Sequence, residues 1–269
     1  MCTLIAIHRH VQGAPLIVAA NRDEYFDRPA EVPRIRNVEG MPGRILAPLD
    51  LRAGGTWLGL NAEGVFAAVT NLRDPDPDPE RRSRGLVVMD ALREQTAAGA
   101  ADWLKALPEK EYNPFHCFVA DRERAFHTVY RNQPRQQELG PGVHVIGNVD
   151  PDEEPAPKAD RIRAQVEAIV AERHVVRERV MDGLARVCGQ HETGELGDTC
   201  VHLGAYGTRS SALLMLGDRE EGGEGPEGSL VFSEGSPCEN AYEDYSTLLQ
   251  ELSRRASYEQ GETVTRNRT

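Results

Sequence analysis

The chain has 269 residues, with 31 Lys and Arg against 43 Asp and Glu, which gives a formal net charge of −12. This length is enough for one large domain with a sizeable core. The acidic balance disfavours binding of nucleic acid or an anionic membrane through the whole surface. No apolar run approaches the roughly 20 residues of a membrane-spanning helix, so we expect no membrane insertion.

The first 70 residues predict short strands separated by turns, and a loop follows them. Thr3–Arg9 alternates loosely, and Leu16–Ala20 is an apolar run typical of a buried strand. Thr56–Leu60 and Val65–Val69 predict a hairpin, because Asn and Gly occupy the turn between them. The alternating Asp-Pro run at 74–79 predicts a solvated loop, since each proline removes a backbone donor.

Helices and further strands are predicted in the rest of the chain. Ser83 and Thr96 are predicted N-caps of two helices. Two more helices are indicated by apolar residues at helical spacing, from Ile162 to Val170 and from Val176 to Val187. The other predicted strands are Phe115–Ala120, Phe126–Tyr130, Val143–Ile146, Cys200–Leu203, Ser210–Leu216 and Leu230–Phe232.

The remaining segments complete the predicted organisation. A second acidic loop covers Asp150–Pro157, Glu220–Ser229 is a connector, and a last helix lies within Tyr242–Ser253. Strands and helices come in separate blocks, which favours an α+β fold of sheets covered by helices over a doubly wound sheet. We predict one domain over 1–256 and a disordered polar tail over 257–269.

Cys2 is the first residue with unusual chemistry. A small second residue favours removal of the initiator methionine, which would give Cys2 both a thiol and a free α-amine. The reference pKa values are near 8 for the amine and near 8.5 for the thiol, so one residue supplies a nucleophile and a base. A nearby cation would lower the thiol pKa.

A polar cluster, Asn21-Arg22-Asp23-Glu24, directly follows the apolar strand Leu16–Ala20. Arg22 could lower the thiol pKa, and a carboxylate could orient the amine. An ordinary strand-end turn with local ion pairs would explain the same residues. Asn21 or Glu24, rather than Arg22 and Asp23, could also be the contact of the nucleophile.

Further motifs follow in a fixed order. They are Gly54-Gly55-Thr56-Trp57-Leu58-Gly59, Thr70-Asn71, Ser83-Arg84-Gly85 and Tyr206-Gly207-Thr208-Arg209-Ser210-Ser211. Together with Met1-Cys2-Thr3-Leu4 and the polar cluster, this set resembles the NRDE family, also called the transport and Golgi organisation family. The chain departs from that pattern at Gly147-Asn148, where the family has Ser-Asn, and at Ala156-Pro157-Lys158, where it has Trp-Pro-Lys.

The resemblance extends to N-terminal-nucleophile cysteine hydrolases, and it implies an αββα sandwich of two antiparallel sheets between helix layers. It implies Cys2 as nucleophile, with Arg22 and Asp23 beside it and Asn71 as an oxyanion donor. Asn148 and Arg209 fill the two later polar positions. The site residues are therefore Cys2, Arg22, Asp23, Asn71, Asn148 and Arg209.

Each of these positions also has a purely structural interpretation. Asn71 and Asn148 precede acidic proline loops, where asparagine commonly ends a strand. Arg209 could pair with Asp23 or Glu24. His8 and His10 would share a strand face, but two histidines without a third ligand usually mark a solvated surface, so we predict no metal site. The acidic loops would disfavour anionic ligands.

Three functions remain open. The first is a cytoplasmic cysteine amidohydrolase or acyltransferase on a small amide, needing no cofactor. The second, implied only by the resemblance, is a non-enzymatic protein of haem trafficking or lipid homeostasis, with haem as a ligand. The third is a hydrolase fold that has lost its chemistry. The five scattered cysteines include no C-x-x-C pair, which favours a reducing compartment.

Overall fold

The computed structural model describes residues 2–38, 40–41, 43–150, 152–153, 155–171, 176–192, 196–218 and 228–253. Strands predominate within these ranges. They are β1 (Cys2–Val11), β2 (Ala14–Tyr25), β3 (Ala30–Asn37), β4 (Arg44–Asp50), β5 (Leu58–Asn61), β6 (Phe66–Asn71), β7 (Phe115–Ala120), β8 (Ala125–Tyr130), β9 (Pro134–Leu139), β10 (Gly142–Ile146), β11 (His202–Leu203), β12 (Tyr206–Leu216), β13 (Gly228–Glu234) and β14 (Glu243–Asp244). The helices are α1 (Gly85–Ala91), α2 (Ala97–Lys105), α3 (Pro157–Val170), α4 (Arg177–Cys188) and α5 (Thr247–Ser253).

The strands form two antiparallel sheets. The first has the order β10-β1-β2-β12-β13-β14, with β11 paired to β12, and the second runs β3-β4-β5-β6-β7-β8-β9 in chain order. The long strands β1 and β2 lie inside the first sheet, so both of their edges are hydrogen-bonded. The predicted α+β class is confirmed.

Successive side chains of a strand point to opposite faces of its sheet, so the apolar residues form three core layers: one between the sheets and one between each sheet and its helices. Leu4, Ala6 and Ala20 point inward and meet the inner face of the second sheet, including Phe66 and Phe118. The outer face of the first sheet packs against α3 and α4, and that of the second sheet packs against α1 and α2. Because each sheet must bury both faces, the result is the predicted αββα sandwich.

Four strands in the described part of the chain were not predicted from the sequence: β3, β4, β9 and the two-residue β14. β3 and β9 are the two edges of the second sheet, and β9 has the polar sequence Pro-Arg-Gln-Gln-Glu-Leu. β3 carries Pro33 at an irregularity of its ladder, and β4 carries Pro48. Proline and polar residues suit edge strands but weaken the period-two signal.

Several predicted boundaries are wrong. α1 begins at Gly85 with Arg84 at its N-cap position, so Ser83 is not the cap, whereas Thr96 does accept a hydrogen bond from the amide of Gly99. Only His202–Leu203 of the predicted strand 200–203 pairs with a neighbour. Within 242–253, the helix begins at Thr247.

Two other predictions lie outside the described residues: most of the connector 220–229, and the tail 257–269. In the ranges that the structure does describe, no helix has the length and apolarity needed to cross a membrane.

Candidate active site

Cys2 and Arg22 are direct partners across the ladder of β1 and β2. Residues paired across an antiparallel ladder point to the same face, and here Leu4 and Ala20 identify it as the inner face of the sandwich. Arg22 is only 4% exposed, and Cys2 is half-buried. The two residues therefore lie where the inter-sheet core ends and a polar cavity begins.

The guanidinium of Arg22 is fixed by two neighbours. Its Nη2 donates to Oδ2 of Asp50 at 3.1 Å, and its Cζ lies 4.3 Å from the ring centre of Trp57. Asp50 also accepts from Nε of Arg28 at 2.7 Å, so one buried carboxylate orders two arginines. Nη1 of Arg22 has no hydrogen-bond partner among the described residues, so this donor remains for a ligand.

The glycine motifs bring two distant chain segments into contact. A Cβ on Gly55 would lie 2.4 Å from the carbonyl carbon of Gly85, and the amide of Thr56 donates to the carbonyl oxygen of Gly85 at 3.1 Å. Backbones can approach this closely only without side chains. The contact sets Trp57 and Arg84 on the wall of one cavity.

That cavity, of about 280 Å³, is rich in arginine. The residues that line it include Cys2, Asn71, Trp57, six arginines (22, 28, 52, 81, 82 and 84) and four carboxylates (Asp23, Glu24, Asp50 and Asp78). Arg84 is half-buried and has no carboxylate within ion-pairing distance in the described part of the chain. The other five arginines of the wall are paired, since Arg82 and Arg52 also reach Asp90, Glu111 and Asp27 outside it. Arg84 is thus the cavity arginine that has no ion-pair partner among the described residues.

The charge of Arg22 lowers the pKa of the Cys2 thiol, as expected of a nearby cation, but the net shift of that pKa is upward. Burial raises the pKa of the thiol, and the charge of Asp23 adds to that effect. The backbone amide of Asp23 and the charge of Arg22 act in the opposite direction without overcoming burial. A thiol in this position needs a base to remove its proton.

Asp23 lies next to a register irregularity between β2 and β12. Its Oδ1 accepts a hydrogen bond from Oγ1 of Thr208 at 2.7 Å. Burial raises the pKa of Asp23 to about 6, although the charge of Lys158 opposes this shift. A carboxyl group with such a pKa can exchange protons near neutral pH.

The other members of the polar cluster have different partners. Nδ2 of Asn21 donates to the carbonyl oxygens of Cys188 and Thr199, both at 2.9 Å. Asn21 thus anchors the outer layer and does not face Cys2. Glu24 lines the cavity and pairs with Arg28 at 3.4 Å.

Lys158, at the start of α3, was not predicted as a site residue. Its buried Nζ has no hydrogen-bond partner in the described ranges, and burial lowers its pKa. The charges of Asp23 and Cys2 raise that pKa, which places the ammonium close to both groups. The Pro157-Lys158 pair within the family motif was the signal in the sequence.

Asn71 and Asn148 are brought together by the fold. Nδ2 of Asn148 donates to the carbonyl oxygen of Asn71 at 2.6 Å, and Oγ1 of Thr70 donates to the carbonyl of Gly147 at 2.7 Å. Only Asn71 lines the Cys2 cavity, and no described residue hydrogen-bonds to its side chain. Asn148 lines the neighbouring cavity, and its amide holds the backbone of Asn71 in place at the edge of the Cys2 cavity.

Arg209 is not in the wall of the Cys2 cavity. Its Nε donates to the carbonyl oxygen of Arg28 at 3.4 Å, and it lines a small pocket behind Arg22 and Trp57. Among the described residues it forms no ion pair with Asp23 or Glu24, so that structural interpretation is wrong. Arg209 instead supports the backbone that presents Arg28.

A second cavity, of about 770 Å³, is near the first, because Asn148 in its wall donates to the carbonyl oxygen of Asn71 in the wall of the first. Apolar residues such as Ile146 share its wall with His116, His127 and His144. Nδ1 of His116 lies 3.0 Å from Nε2 of His127. Burial lowers the pKa of His116 to about 4 and that of His127 to about 3, which keeps both imidazoles neutral.

His8 and His10 do not form a pair. Nε2 of His8 is 3.3 Å from the carbonyl oxygen of Asp121 in a buried position, whereas His10 is exposed. Arg9 between them has a φ of 48°, which breaks the strand alternation. The two imidazoles consequently face different environments.

The sandwich, with an early cysteine at the end of an inner strand, defines an N-terminal-nucleophile-hydrolase-like fold. A solved structure of the Caenorhabditis elegans N-acylethanolamine-hydrolyzing acid amidase ortholog is similar, with a TM-score of 0.54 at 12% identity over 79% of this chain and 92% of that one. Residues 1–223 match the model of the Transport and Golgi organisation 2 family. The chain belongs to that family.

Curated relatives agree with this assignment. The Transport and Golgi organization 2 homolog of Mus musculus is 25% identical over 230 residues, covering 75% of this chain and 82% of the relative. The Homo sapiens homolog is 34% identical over 143 residues, covering 49% of this chain and 50% of the relative.

Proposed function

We propose that this protein is an N-terminal-nucleophile cysteine amidohydrolase that transfers the acyl group of a small amide to water or another acceptor. The observation that carries the proposal is the Cys2–Arg22 pair on the inner face, opening into a cavity that Asn71 also lines. A nucleophile, a cation and an amide donor then surround one reacting carbonyl group. The fold of the solved amidase supports the proposal as an analogy.

The reaction would use the α-amine of Cys2 as the base. The amine accepts the thiol proton while sulfur attacks the carbonyl carbon, and the side-chain amide of Asn71 donates to the oxyanion. The ammonium then protonates the leaving nitrogen, which gives a thioester. Water, deprotonated by the same amine, hydrolyses the thioester and restores Cys2. Asp23 and Lys158 would orient the amine and adjust its charge.

The substrate would carry a negative charge close to the amide. The support is Arg84, a cavity cation with no ion-pair partner among the described residues, whereas the other five arginines of the wall each form an ion pair. Asp78 of the first acidic loop is itself paired, because its Oδ2 lies 3.6 Å from Nε of Arg81, which reduces the repulsion of anions expected from that loop. The second cavity would accept the apolar acyl group.

Matched amides test this function. We would compare N-acyl amides that differ only in a carboxylate on the amine side, using the parent, Cys2→Ser and Arg84→Met. Cys2→Ser should abolish turnover of both substrates, and Arg84→Met should raise KM about tenfold for the anionic amide alone. Arg124→Met, remote from the cavity, is the control. Unchanged turnover by Cys2→Ser would refute the proposal.

The mechanism requires Cys2 to be the first residue of the mature chain. Intact mass spectrometry of protein from its native host should show a mass lower by one methionine. Retention of Met1 would leave the reaction without its base. We further propose a cytoplasmic location, because all five cysteines are free thiols and a reducing compartment keeps them so.

A second candidate is haem binding, in place of or beside hydrolysis, in a protein of haem trafficking or lipid homeostasis. The supporting observation is the 770 Å³ cavity, which is lined by the neutral imidazoles of His116 and His127. A buried neutral imidazole suits an iron ligand, and Arg163 or Lys158 could pair with haem carboxylates. Titration with haem, followed by absorbance, should then lose its signal in His116→Ala and not in Cys2→Ser.

A further inference from the structure

Four possible metal ligands converge behind β12, on the far side of the sheet from the Cys2 cavity. They come from three separate segments: His191 follows α4, Cys200 and His202 lead into β11, and Cys238 lies in the turn after β13. The donor atoms of His191, His202 and Cys238 all lie within 4.8 Å of one another. The sequence carries no local signal for this group, because its first and last members are 47 positions apart.

The distances among Cys200, His202 and Cys238 fit one tetrahedral centre, whereas Cys200 lies outside the 4.8 Å group of His191, His202 and Cys238 and would move toward His191 as the ion binds. Sγ of Cys200 lies 3.5 Å from Sγ of Cys238 and 3.6 Å from Nε2 of His202. Nε2 of His202 lies 3.1 Å from Sγ of Cys238. With Zn–S near 2.3 Å and Zn–N near 2.1 Å, a tetrahedral ion separates two sulfurs by about 3.8 Å and a sulfur and a nitrogen by about 3.6 Å.

Hydrogen bonds hold these segments in place independently of the side chains. The amide of Cys200 donates to the carbonyl oxygen of Gln190 at 2.8 Å, which ties the His191 segment to the Cys200 segment. Oγ of Ser236 donates to the carbonyl oxygen of Thr208 at 2.9 Å, which ties the Cys238 turn to β12. Because these hydrogen bonds fix the segments before any ion binds, the four side chains are preorganised as ligands.

We propose that His191, Cys200, His202 and Cys238 bind one Zn²⁺ in a tetrahedral site with two sulfur and two nitrogen ligands. Each thiol releases its proton to solvent as its Zn–S bond forms, and the histidines bind as neutral imidazoles. Sulfur and imidazole together select Zn²⁺ over hard ions such as Mg²⁺ or Ca²⁺. A cavity of about 430 Å³ lined by His191 and Cys238 provides access for the ion.

The ion would stabilise the outer layer next to the Cys2 cavity. The segment that carries Cys200 contacts β2, where the carbonyl of Thr199 accepts from Asn21. It also contacts β12, where the amide of Val201 donates to Oγ1 of Thr208 at 2.8 Å, and Thr208 in turn bonds Asp23. The proposed role is therefore structural and does not depend on hydrolysis.

The test uses the full chain, reduced, freed of metal with a chelator and titrated with Zn²⁺ against a chromogenic competitor. One equivalent should bind, and thermal unfolding should shift upward by several degrees. His202→Ala and Cys238→Ser should each weaken binding by more than about 100-fold, because loss of even an outer partner of a ligand costs about 10- to 100-fold. Co²⁺ in place of Zn²⁺ should give visible absorption typical of tetrahedral sulfur coordination.

Controls make each outcome decisive. Cys2→Ser and His10→Ala should bind Zn²⁺ as the parent does. His191 is exposed, so His191→Ala should keep the fold, checked by circular dichroism, and should change the Co²⁺ spectrum. Three outcomes would overturn the proposal. The first is absence of a stoichiometric site in the reduced parent, and the second is parent-like binding by both His202→Ala and Cys238→Ser. The third is a Cys200–Cys238 disulfide with no Zn²⁺ binding after reduction.

Discussion

Cys2 and Arg22 are paired across the ladder of β1 and β2, so the thiol and the guanidinium share the inner face of the sandwich. The strand period of two turns Thr3 and Asn21, one residue away in each strand, toward the helices. A one-residue slip of this register would exchange the two pairs and remove Cys2 from its cavity. The ladder register is therefore part of the site.

Cys2 should be the most readily alkylated of the five thiols. Burial raises the pKa of Cys188 and of Cys200 to about 12, and Cys117 is fully buried. Arg22→Met removes the cation that opposes the burial-raised pKa of Cys2 and should slow alkylation of Cys2 by iodoacetamide. Peptide mapping measures the rates, with Arg124→Met as control. Faster labelling of Cys117 or Cys238 than of Cys2 would contradict this prediction.

Asn71→Ala should reduce turnover far more than binding. The lost amide donates mainly to the developing oxyanion, so kcat should fall by about two to three orders of magnitude while KM changes little. Steady-state kinetics on the anionic amide provides the measurement. Asn113→Ala, at the outer rim of the same cavity, is the matched control. Equal effects of the two substitutions would argue against an oxyanion role for Asn71.

Asp23 should make stability depend on pH. Its pKa is raised to about 6, so the folded state holds the proton more tightly than the unfolded state does. Asp23 therefore adds about 3 kcal/mol to the free energy of unfolding. This contribution is fully present below about pH 4 and is lost as the pH rises through 6. Asp23→Asn keeps an acceptor for Thr208 and should flatten this dependence. Urea unfolding between pH 4 and 7 tests it, and the exposed Asp78→Asn should retain the parent slope.

Gly55→Ala should destabilise the fold and disturb the site together. The added methyl group would overlap the backbone at Gly85, which should cost about 1–3 kcal/mol in the free energy of unfolding. Gly43→Ala is the matched control, since no atom of the described residues lies within 4 Å of a Cβ placed there. Urea unfolding gives both values. Equal stability of the two variants would show that the close backbone contact is not required.

The sequence by itself determined the class of fold and most of its central elements. Apolar runs and alternation located β1, β2, β7 and β12, because central strands bury both faces and must be apolar on each. The ordered motifs were enough to indicate the family and to select Cys2, Arg22 and Asn71. The edge strands β3 and β9 escaped, because a strand with one free edge tolerates polar residues and proline.

Only the tertiary structure decided which of these residues meet. Register placed Arg22 beside Cys2 and turned Asn21 away, and the Gly55–Gly85 contact brought Arg84 to the same cavity. Burial then reversed the expected shift in the Cys2 pKa, which no count of neighbouring charges along the chain could show. The group of His191, Cys200, His202 and Cys238 arises in the same way, because contacts between distant segments depend on how the layers pack and leave no periodic signal in the sequence.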